Sequence, residues 1–396
     1  MKRVCHVVFE HSIFDGRIFF KEAVSLARAG YEVVLLVPRL PGGWLGRKRE
    51  HRLTDDAPFQ REGVRFESYP YHKWLPRAFG LRHAVCRRAI LASLRRLQPD
   101  LCHFHEDGIT MDVAADLKDA LPDTKLIFDY HEFFLHRLRG SEANRRTLHR
   151  FVATENRVLA AADGLITVSD LISQYYHTLT DKAVVTVMNC QSARTFPAGE
   201  GVGPHDDSFW VVHEGRMLFD RGLRPLVDAA RLVRSPRVRF LLIGDLPRAE
   251  RAWFAEQTGK DGTTGRFHVT GMLPYPEVPA WLRRGHAGAC LIEAPNGLMG
   301  APNKFFNYLR FGLPVLTLEH PIMGPIVREA RCGEVLPRAD AAVGLAQAID
   351  RLATDPTRLA AMSAAATRLF AEELNWEQME RRLLGLYQEL LPGHAN

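Results

Sequence analysis

The residues with the clearest chemical potential lie between 293 and 318, in EAPNGLMGAPNKFFNYLRFGLPVLTL. This stretch begins as a glycine-containing loop, continues as a helix with apolar periodicity over 303–311, and ends in a buried strand, PVLTL. In an open α/β sheet such a loop leaves the carboxyl end of a strand, and the next helix turns unpaired N–H groups towards an anion. Lys304, in the first helical turn, adds a positive charge. We therefore predict a phosphate or diphosphate site, although an ordinary βαβ crossover with solvated Lys304 and Asn307 fits the same periodicity.

Polar side chains also follow two strands in the first half of the chain. DLCHFHEDG and KLIFDYHEFF each read as a buried strand that ends in histidine and carboxylate side chains: His105, Glu106, His131 and Glu132. Such a cluster could bind a metal ion, but neither stretch has the helical H-E-x-x-H spacing, so we predict no metal site. Histidines of this kind are structural about as often as they are functional.

The loop EHSIFDGR, between the first strand and the first helix, carries Asp15 and Arg17. Arg17 precedes a helix predicted over 18–28, where it could bind a phosphate group of a ligand while Asp15 fixes its position. The alternative is that the two side chains pair with each other and brace the loop.

The elements that position these residues alternate between strand and helix. Val4 to Phe9, the helix over 18–28 and YEVVLLV form the opening βαβ unit of a Rossmann-like domain, and FWVVHEG restarts the alternation at residue 209. There is no G-x-G-x-x-G, so a dinucleotide cofactor is not predicted. We predict a first domain over residues 1–190 and a second domain over residues 209–374, joined by a Gly- and Pro-rich linker at 191–208. The C-terminal helix, residues 375–396, is predicted to complete the first domain.

The composition is that of an ordinary globular protein. The 396 residues are 46% hydrophobic and 25% charged, and the net charge of +6 favours an anionic partner. The six cysteines are scattered, the first apolar run is too short for a signal peptide, and no run approaches the ~18 residues of a membrane span. We therefore expect a cytoplasmic protein. Nucleic acid is not an expected partner, because the basic residues are not interleaved with stacking aromatics in a recognised module.

Residues 71–97 form a basic amphipathic stretch. Its arginines alternate with leucine, valine and isoleucine, behind an aromatic lead-in at Tyr71, Trp74 and Phe79. This pattern suits a helix that lies on an anionic membrane surface, which would place the protein at the inner face of a membrane. A helix packed on the core with a solvated basic face is the alternative.

The stretch PNKFFNYLRFGLPVL resembles the nucleotide-sugar segment of GT-B glycosyltransferases, most closely family 4, whose usual form is P-x-K-x-x-E-Y-x-x-x-G-x-P-V. The family's glutamate, which binds the ribose hydroxyls, falls at Asn307. The earlier acidic residue of the family, which contacts the donor sugar, falls at Met299. An asparagine carbonyl can still accept a ribose O–H bond, without the charge assistance that a carboxylate gives.

Other segments carry the same resemblance. FWVVHEGRMLFDRG resembles the family's strand before G-R-x-x-x-x-K-G, and its basic positions, Arg216 and Arg221, would join Lys304 in holding a diphosphate. RFHVTGMLPYPEV resembles the segment whose loop lies against the base. EHSIFDGR looks like an opening H-x-x-x-D-x-R signature, and DLCHFHEDG resembles a D-x-x-H-x-H segment. In KLIFDYHEFF, His131 falls where a family histidine contacts the donor sugar near the reacting carbon.

The resemblance implies an α/β protein with the GT-B fold, in which two Rossmann-like domains face each other across a deep inter-domain cleft. It implies a retaining glycosyltransferase that moves a sugar from a nucleotide-sugar donor to an acceptor, without a metal, another cofactor or an enzymic nucleophile. The implied catalytic residues are His131, Arg216, Arg221 and Lys304. The implied nucleotide-sugar residues are Gly215, Met272, Leu273, Met299, Gly300, Ala301, Asn303 and Asn307. The implied acceptor-side residues are Asp15, Arg17, His105, Glu106 and Glu132.

Two other functions stay open at this point. A sugar-nucleotide epimerase on the same fold would use acid and base groups such as His131, Glu132 and Glu293. A non-catalytic protein that binds a nucleotide or a partner is suggested by Met299 and Asn307, which stand where the family has acidic residues. The base, the sugar and the acceptor are not specified by the sequence.

Overall fold

A computed structural model describes residues 1–9, 11–40, 44–45, 59–71, 80–105, 108–133, 142–194 and 207–393. The chain divides into two compact units. One unit comprises residues 1–188 and 379–396, and the other comprises residues 189–378. Each unit is built on a mainly parallel sheet, as the alternation of strands and helices predicts.

The described strands of the first unit are β1 (Arg3–Val7), β2 (Glu32–Leu40), β3 (Trp44–Leu45), β4 (Phe59–Arg61), β5 (Val64–Pro70), β6 (Leu101–His105), β7 (Lys125–Tyr130), β8 (Gly164–Thr167) and β9 (Ala183–Thr186). They form one sheet in the order β4-β5-β2-β1-β6-β7-β8-β9, with β3 paired to β2. The β3 and β4 pairings are antiparallel and the others are parallel. The central strands are buried on both faces, which explains their continuous apolar runs.

The helices that come from the first half of the chain are α1 (Val24–Arg28), α2 (Leu81–Leu97), α3 (Gly108–Ala115), α4 (Leu117–Ala120), α5 (Glu142–Ala161) and α6 (Asp170–His177). The helix predicted over 18–28 begins as a π-helix, Ile18–Ala23, and continues as α1. Its wide turn is closed where the Glu22 N–H donates to the Arg17 carbonyl, five residues earlier, at 2.9 Å.

Helix α2 is the described part of the basic stretch 71–97, of which residues 72–79 lie outside the described ranges. It packs Cys86, Ile90 and Leu94 into the core and leaves Arg88 and Arg95 exposed. This part of the stretch therefore corresponds to the alternative of a core-packed helix with a solvated basic face. Among the described helices, none has the length and apolar content to cross a membrane.

The strands of the second unit are β10 (Phe209–Glu214), β11 (Val238–Ile243), β12 (Phe267–Gly271), β13 (Ala287–Cys290), β14 (Val315–Leu318) and β15 (Gly333–Leu336). All described pairings are parallel, in the order β12-β11-β10-β13-β14-β15. The remaining helices are α7 (Leu223–Leu232), α8 (Arg248–Lys260), α9 (Val278–Leu282), α10 (Asn303–Arg310), α11 (Met323–Ala330), α12 (Ala341–Thr354), α13 (Pro356–Glu372) and α14 (Trp376–Leu390). Helix α14 begins in the second unit and continues into the first.

In each sheet, the direction in which successive strands are added reverses beside the first long parallel strand. Strand β1 lies between β2 and β6, and β10 lies between β11 and β13. In open parallel sheets, ligands bind at the carboxyl ends of the strands at such a switch point. The polar residues that the sequence singles out follow these strands, so the fold brings together at each switch point the groups that could do chemistry.

Gly288 in β13 allows α10 to lie directly on the second sheet. A Cβ atom at this position would lie 2.3 Å from the ring of Tyr308, which α10 contributes. We expect Gly288→Ala to lower the free energy of unfolding by about 1–3 kcal/mol in urea, because the fully buried ring has nowhere to move. Gly259→Ala in α8 is the control, since a Cβ there meets nothing within 4 Å. Equal effects of the two substitutions would contradict this account.

Candidate functional site

Tyr308 holds α10 at the switch point of the second sheet. Its hydroxyl accepts a hydrogen bond from the Glu214 N–H at 2.9 Å and lies 3.3 Å from the Ala289 carbonyl, to which it donates. These partners belong to β10 and β13, the two strands beside which the chain order reverses. The N-terminal turn of α10 is therefore fixed near the carboxyl ends of both strands, where its unpaired N–H groups can face an anion.

Lys304 lies in this first turn and is only 6% exposed. Its Nζ is 3.1 Å from His213 Nε2, at the end of β10. The pKa of Lys304 is lowered to about 8, mainly by burial and also by Arg221, while Cys290 and Glu214 oppose the shift. The alternative of a solvated Lys304 is therefore wrong. The side chain is a buried cation that an anionic ligand would stabilise.

Asn307 is also buried, and it contacts a carboxylate that comes from the neighbouring strand. Its Nδ2 donates to both oxygens of Glu214, at 2.8 and 2.9 Å. Burial raises the pKa of Glu214, while Asn307 and Lys304 oppose this rise. The family pattern has a carboxylate at position 307 itself. In this chain the carboxylate belongs to Glu214 and contacts the side chain at position 307. The alternative of a solvated Asn307 is wrong.

The loop after β10 carries the two predicted arginines. Arg216 is exposed, with its Nε 3.7 Å from Asp245 Oδ2, and Arg221 ends a short 3₁₀ turn and is also exposed. Gly222, with φ +89°, lets this loop approach β13, because a Cβ there would lie 2.3 Å from Leu291 Cβ. The positive charge of Arg221 contributes to lowering the pKa of Lys304.

The other predicted nucleotide-sugar residues lie in loops of the same unit. Gly215 follows β10, and a Cβ there would lie 3.9 Å from Lys304 Cε. Met272 is 74% exposed after β12, and Leu273 beside it is half-buried. The remaining residues precede or open α10: Met299, Gly300 and Ala301 are half-buried, and Asn303 is exposed. His320 ties this loop to the unit through a contact of 3.1 Å between its Nε2 and the Gly297 carbonyl.

Arg17 and Asp15 have separate roles at the switch point of the first sheet. Arg17 is 4% exposed, donates to Asp129 at 3.0–3.2 Å through Nε and Nη2, and donates to the Val187 carbonyl at 2.6 Å through Nη1. A guanidinium engaged in this way is not presented to a phosphate, so the predicted phosphate-binding role does not fit. Asp15 accepts the Arg17 and Ile18 N–H groups at 2.8 and 3.0 Å and braces the loop through the backbone.

His105, Asp129 and His131 form a connected polar network. His131 Nε2 lies 3.0 Å from Asp129 Oδ2 and 3.2 Å from His105 Nδ1. Burial lowers the pKa of both histidines, against the opposing effect of Asp129. Burial works against ionisation of Asp129, but Arg17 and the histidines hold the pKa of its carboxyl well below the usual range.

The network places the predicted acceptor-side residues at different depths. The side chain of His131 is 12% exposed, and Glu132 beside it is exposed. His105 is 1% exposed, so its predicted contact with an acceptor does not fit this structure. Glu106 lies outside the described residues.

Sequence reasoning missed Glu214 and His213 as members of the second site, and Asp129 as the centre of the first network. One signal was present: FWVVHEG ends an apolar strand in two polar residues directly before the predicted phosphate-site glycine. Strand periodicity alone does not tell which helix such residues will meet, because that depends on tertiary packing.

Solved structures that share the fold of the whole chain identify the fold class. A sucrose-phosphate synthase from Thermosynechococcus elongatus is 17% identical, with a TM-score of 0.76 over 98% of this chain and 99% of that one. Anabaena HepE, solved with UDP, is 14% identical with a TM-score of 0.73 over 98% and 100%. A glycosyltransferase from Rickettsia africae is 13% identical with a TM-score of 0.74 over 99% of each chain. The predicted GT-B fold is confirmed.

Family models identify the two halves of the sequence. Residues 18–191 match a glycosyl transferase 4-like domain, and residues 208–355 match glycosyl transferases group 1. The chain therefore belongs to the family 4-like glycosyltransferases of the GT-B class, and it is a transferase. No curated protein matches the chain in sequence.

The pKa of Lys304 gives the protein a characteristic dependence on pH. An unfolded lysine keeps its proton up to about pH 10.4, whereas folded Lys304 loses it near 8. The native state therefore binds fewer protons between these values, and stability rises with pH across that window. We expect Lys304→Met to be more stable than the parent at pH 7, by at most about 3 kcal/mol. The difference should shrink as the pH rises from 8 to 10.5.

Urea unfolding of both proteins at pH 7, 8, 9 and 10 measures this difference. Lys260→Met is the matched control, because Lys260 is exposed and pairs with Glu256 only at the surface of α8. A stability difference for Lys304→Met that stays constant over the whole pH range would show that the buried amine does not titrate as described.

Proposed function

We propose that the protein transfers a sugar from a nucleotide-sugar donor to an acceptor, with retention of the anomeric configuration. The observation that carries this proposal is the buried Lys304 in the first turn of α10, at the switch point of the second sheet. Helix N–H groups and positively charged side chains are the groups that would hold a diphosphate there. The acceptor is left to experiment.

The cations would act mainly on the leaving group. Breaking the bond between sugar and phosphate leaves negative charge on the nucleoside diphosphate, and groups fixed before the reaction stabilise that charge without reorganisation. A bound diphosphate would also raise the pKa of Lys304 and restore its full charge. In a same-face transfer the leaving diphosphate can help deprotonate the acceptor, so the proposed reaction requires no metal and no enzymic nucleophile.

Glu214 and Asn307 together are suited to bind the ribose. Asn307 uses its amide nitrogen to bond Glu214. A ribose hydroxyl would then meet carboxylate oxygens from β10 and an amide carbonyl from α10, both of which accept hydrogen bonds. The carboxylate would thus come from the strand instead of the helix. This arrangement supports a donor site despite the absence of a glutamate at position 307.

Two further parts of the proposal concern the donor's identity and its sugar. Anabaena HepE has been solved with UDP and with UDP-glucose, which makes uridine donors the first to test. His131 is proposed to orient the donor sugar, because it is the partly exposed end of a buried network whose Asp129 fixes its ring.

Thermal unfolding with nucleotides tests the donor site. The panel is UDP, GDP, ADP, CMP, dTDP and their sugars; a ligand at ~100 times its dissociation constant adds ~2.7 kcal/mol, which raises the midpoint by a few degrees. We expect one base to stabilise the protein, and Lys304→Ala and Arg221→Ala to abolish that shift. Lys260→Ala is the control and should keep it.

Glu214→Gln separates the two halves of the site. It should weaken binding of the stabilising nucleotide but leave binding of inorganic diphosphate unchanged, because Glu214 is assigned to the ribose.

Once a donor and an acceptor are known, the anomeric proton coupling of the product tests retention. If no nucleotide shifts the midpoint, the non-catalytic function replaces this proposal.

Contact with a membrane through residues 71–97 remains a proposal. Arg88 and Arg95 of α2 are exposed, and basic residues near anionic lipid contribute roughly 1 kcal/mol each. We expect co-sedimentation with phosphatidylserine vesicles at low salt, lost in the double variant Arg88→Glu, Arg95→Glu. The control is Arg248→Glu with Arg368→Glu, which makes the same charge change on the second unit. If both double variants lose co-sedimentation equally, the binding reflects net charge and not a specific contact through α2.

A further inference from the structure

A buried group of metal-ligand side chains lies in the first unit, apart from the donor site. His6, Glu22, His103 and His105 form a set in which one ligand atom from each residue lies within 4.8 Å of the others. We call His6, Glu22 and His103 the histidine–glutamate cluster. All three side chains are 0% exposed.

The parallel pairing of β1 with β6 puts the two histidines side by side. His6 and His103 are register partners, so their side chains leave the same face of the sheet. The cysteines one position earlier, Cys5 and Cys102, are also partners and face the other way. Glu22 comes from the π-helix, whose extra residue per turn sets where this carboxylate lies. Such helices are rare and often occur at functional sites.

The ligand atoms of the cluster lack hydrogen-bond partners within the part of the chain that the structure describes. This holds for His6 Nε2, His103 Nε2 and both oxygens of Glu22. Arg17 Nε lies 2.8 Å from Glu22 Oε1, but its N–H donates to Asp129. Buried polar atoms without hydrogen-bond partners are costly, since each forfeits its hydration.

The opposite nitrogen of each histidine is already placed for metal binding. A metal on Nε2 requires the ring proton on Nδ1, where an acceptor must be present. His6 Nδ1 lies 2.9 Å from His105 Nε2, and His103 Nδ1 lies 2.8 Å from the Tyr387 hydroxyl. His105 in turn has Nδ1 close to His131 and Asp129. Both contacts are compatible with a proton on Nδ1, the form that leaves Nε2 as a lone-pair donor.

We propose that the histidine–glutamate cluster binds one divalent transition-metal ion, with Zn²⁺ as the best match, through His6 Nε2, His103 Nε2 and the Glu22 carboxylate. Two imidazoles and one carboxylate are an established ligand set for zinc, and imidazole disfavours Mg²⁺ and Ca²⁺. Zinc lies about 2.0–2.1 Å from such ligands, so the cluster would contract by roughly an ångström around the ion. His105 supports His6, and a water molecule can take the fourth position.

The ion would have a structural role. The cluster is fully buried, and the transfer proposed above proceeds without a metal. Tyr387 belongs to α14, so the ion would join three distant parts of the chain: β1 with its π-helix, β6, and the C-terminal helix. Metal binding to the folded chain alone adds to its stability.

Metal analysis of the purified full chain is the direct test. After growth in zinc-supplemented medium we expect about one Zn²⁺ per chain by mass spectrometry. Dialysis against a strong chelator should remove it and lower the unfolding midpoint by several degrees, and added Zn²⁺ should restore the midpoint. Co²⁺ in place of Zn²⁺ should give the visible absorption of a four-coordinate nitrogen and oxygen site. Less than about a tenth of an equivalent, with no response of the midpoint to Zn²⁺, overturns the proposal in favour of a shared proton or a buried water.

Variants show whether the ion sits in the cluster. Glu22→Gln and His103→Gln should lose the zinc, whereas His177→Gln, an exposed histidine of the same unit, should keep it. If the ligand variants do not fold, Tyr387→Phe still decides the question: it keeps the ring but removes the acceptor of His103. It should bind one zinc with ~10–100-fold lower affinity in competition with a chromophoric chelator. Unchanged affinity in Tyr387→Phe, or unchanged zinc content in folded ligand variants, contradicts the assignment. These measurements use no nucleotide, so their failure is distinct from failure of the proposed donor site.

Discussion

The proposed donor site depends on the packing of Tyr308 against Gly288. Because residue 288 has no side chain, the ring of Tyr308 lies directly on β13. The Tyr308 hydroxyl then forms hydrogen bonds to both β10 and β13. Lys304 and Asn307 lie within about one helical turn of Tyr308, so they are positioned at the switch point together with it. Because the ring is fully buried, the position of the helix is fixed before any ligand arrives. This preorganisation is what an electrostatic catalyst requires.

Buried charges in the two units are compensated by their neighbours to different degrees. In the first unit Arg17 and Asp129 form a close ion pair, which is costly to desolvate and also costly to break. In the second unit Lys304 lies 3.1 Å from His213, whose pKa burial lowers, and burial lowers the pKa of Lys304 more than the charge of Glu214 raises it. The Arg17–Asp129 pair needs no further partner, so it is assigned a structural role. The charge of Lys304 is only partly compensated, so Lys304 is assigned to the binding of an anionic ligand.

Sequence patterns predicted the parts of the fold that follow from local chemistry. The alternation of strands and helices, the helix after the glycine-containing loop and the GT-B class all follow from periodicity and from the resemblance. The π-helix at Ile18–Ala23 was not predicted, since a wider turn has no distinct spacing in so short a segment. The clamp of Arg17 on Asp129 joins residues 112 positions apart, and no local pattern encodes that contact. For the same reason Glu214 was missed, although its partner Asn307 was named.

The path of the chain has a consequence for synthesis. Residues 189–378 interrupt the first unit, whose α14 portion follows them in the chain. Tyr387, which bonds His103 in the interior of that unit, is translated nearly three hundred residues after its partner. At the ~5–20 residues per second of ribosomal elongation, β6 waits well over ten seconds for the helix whose Tyr387 bonds His103. The second unit has all its strands in one uninterrupted run, so it can fold to completion first. The part of the protein that is made first is therefore the last to be finished.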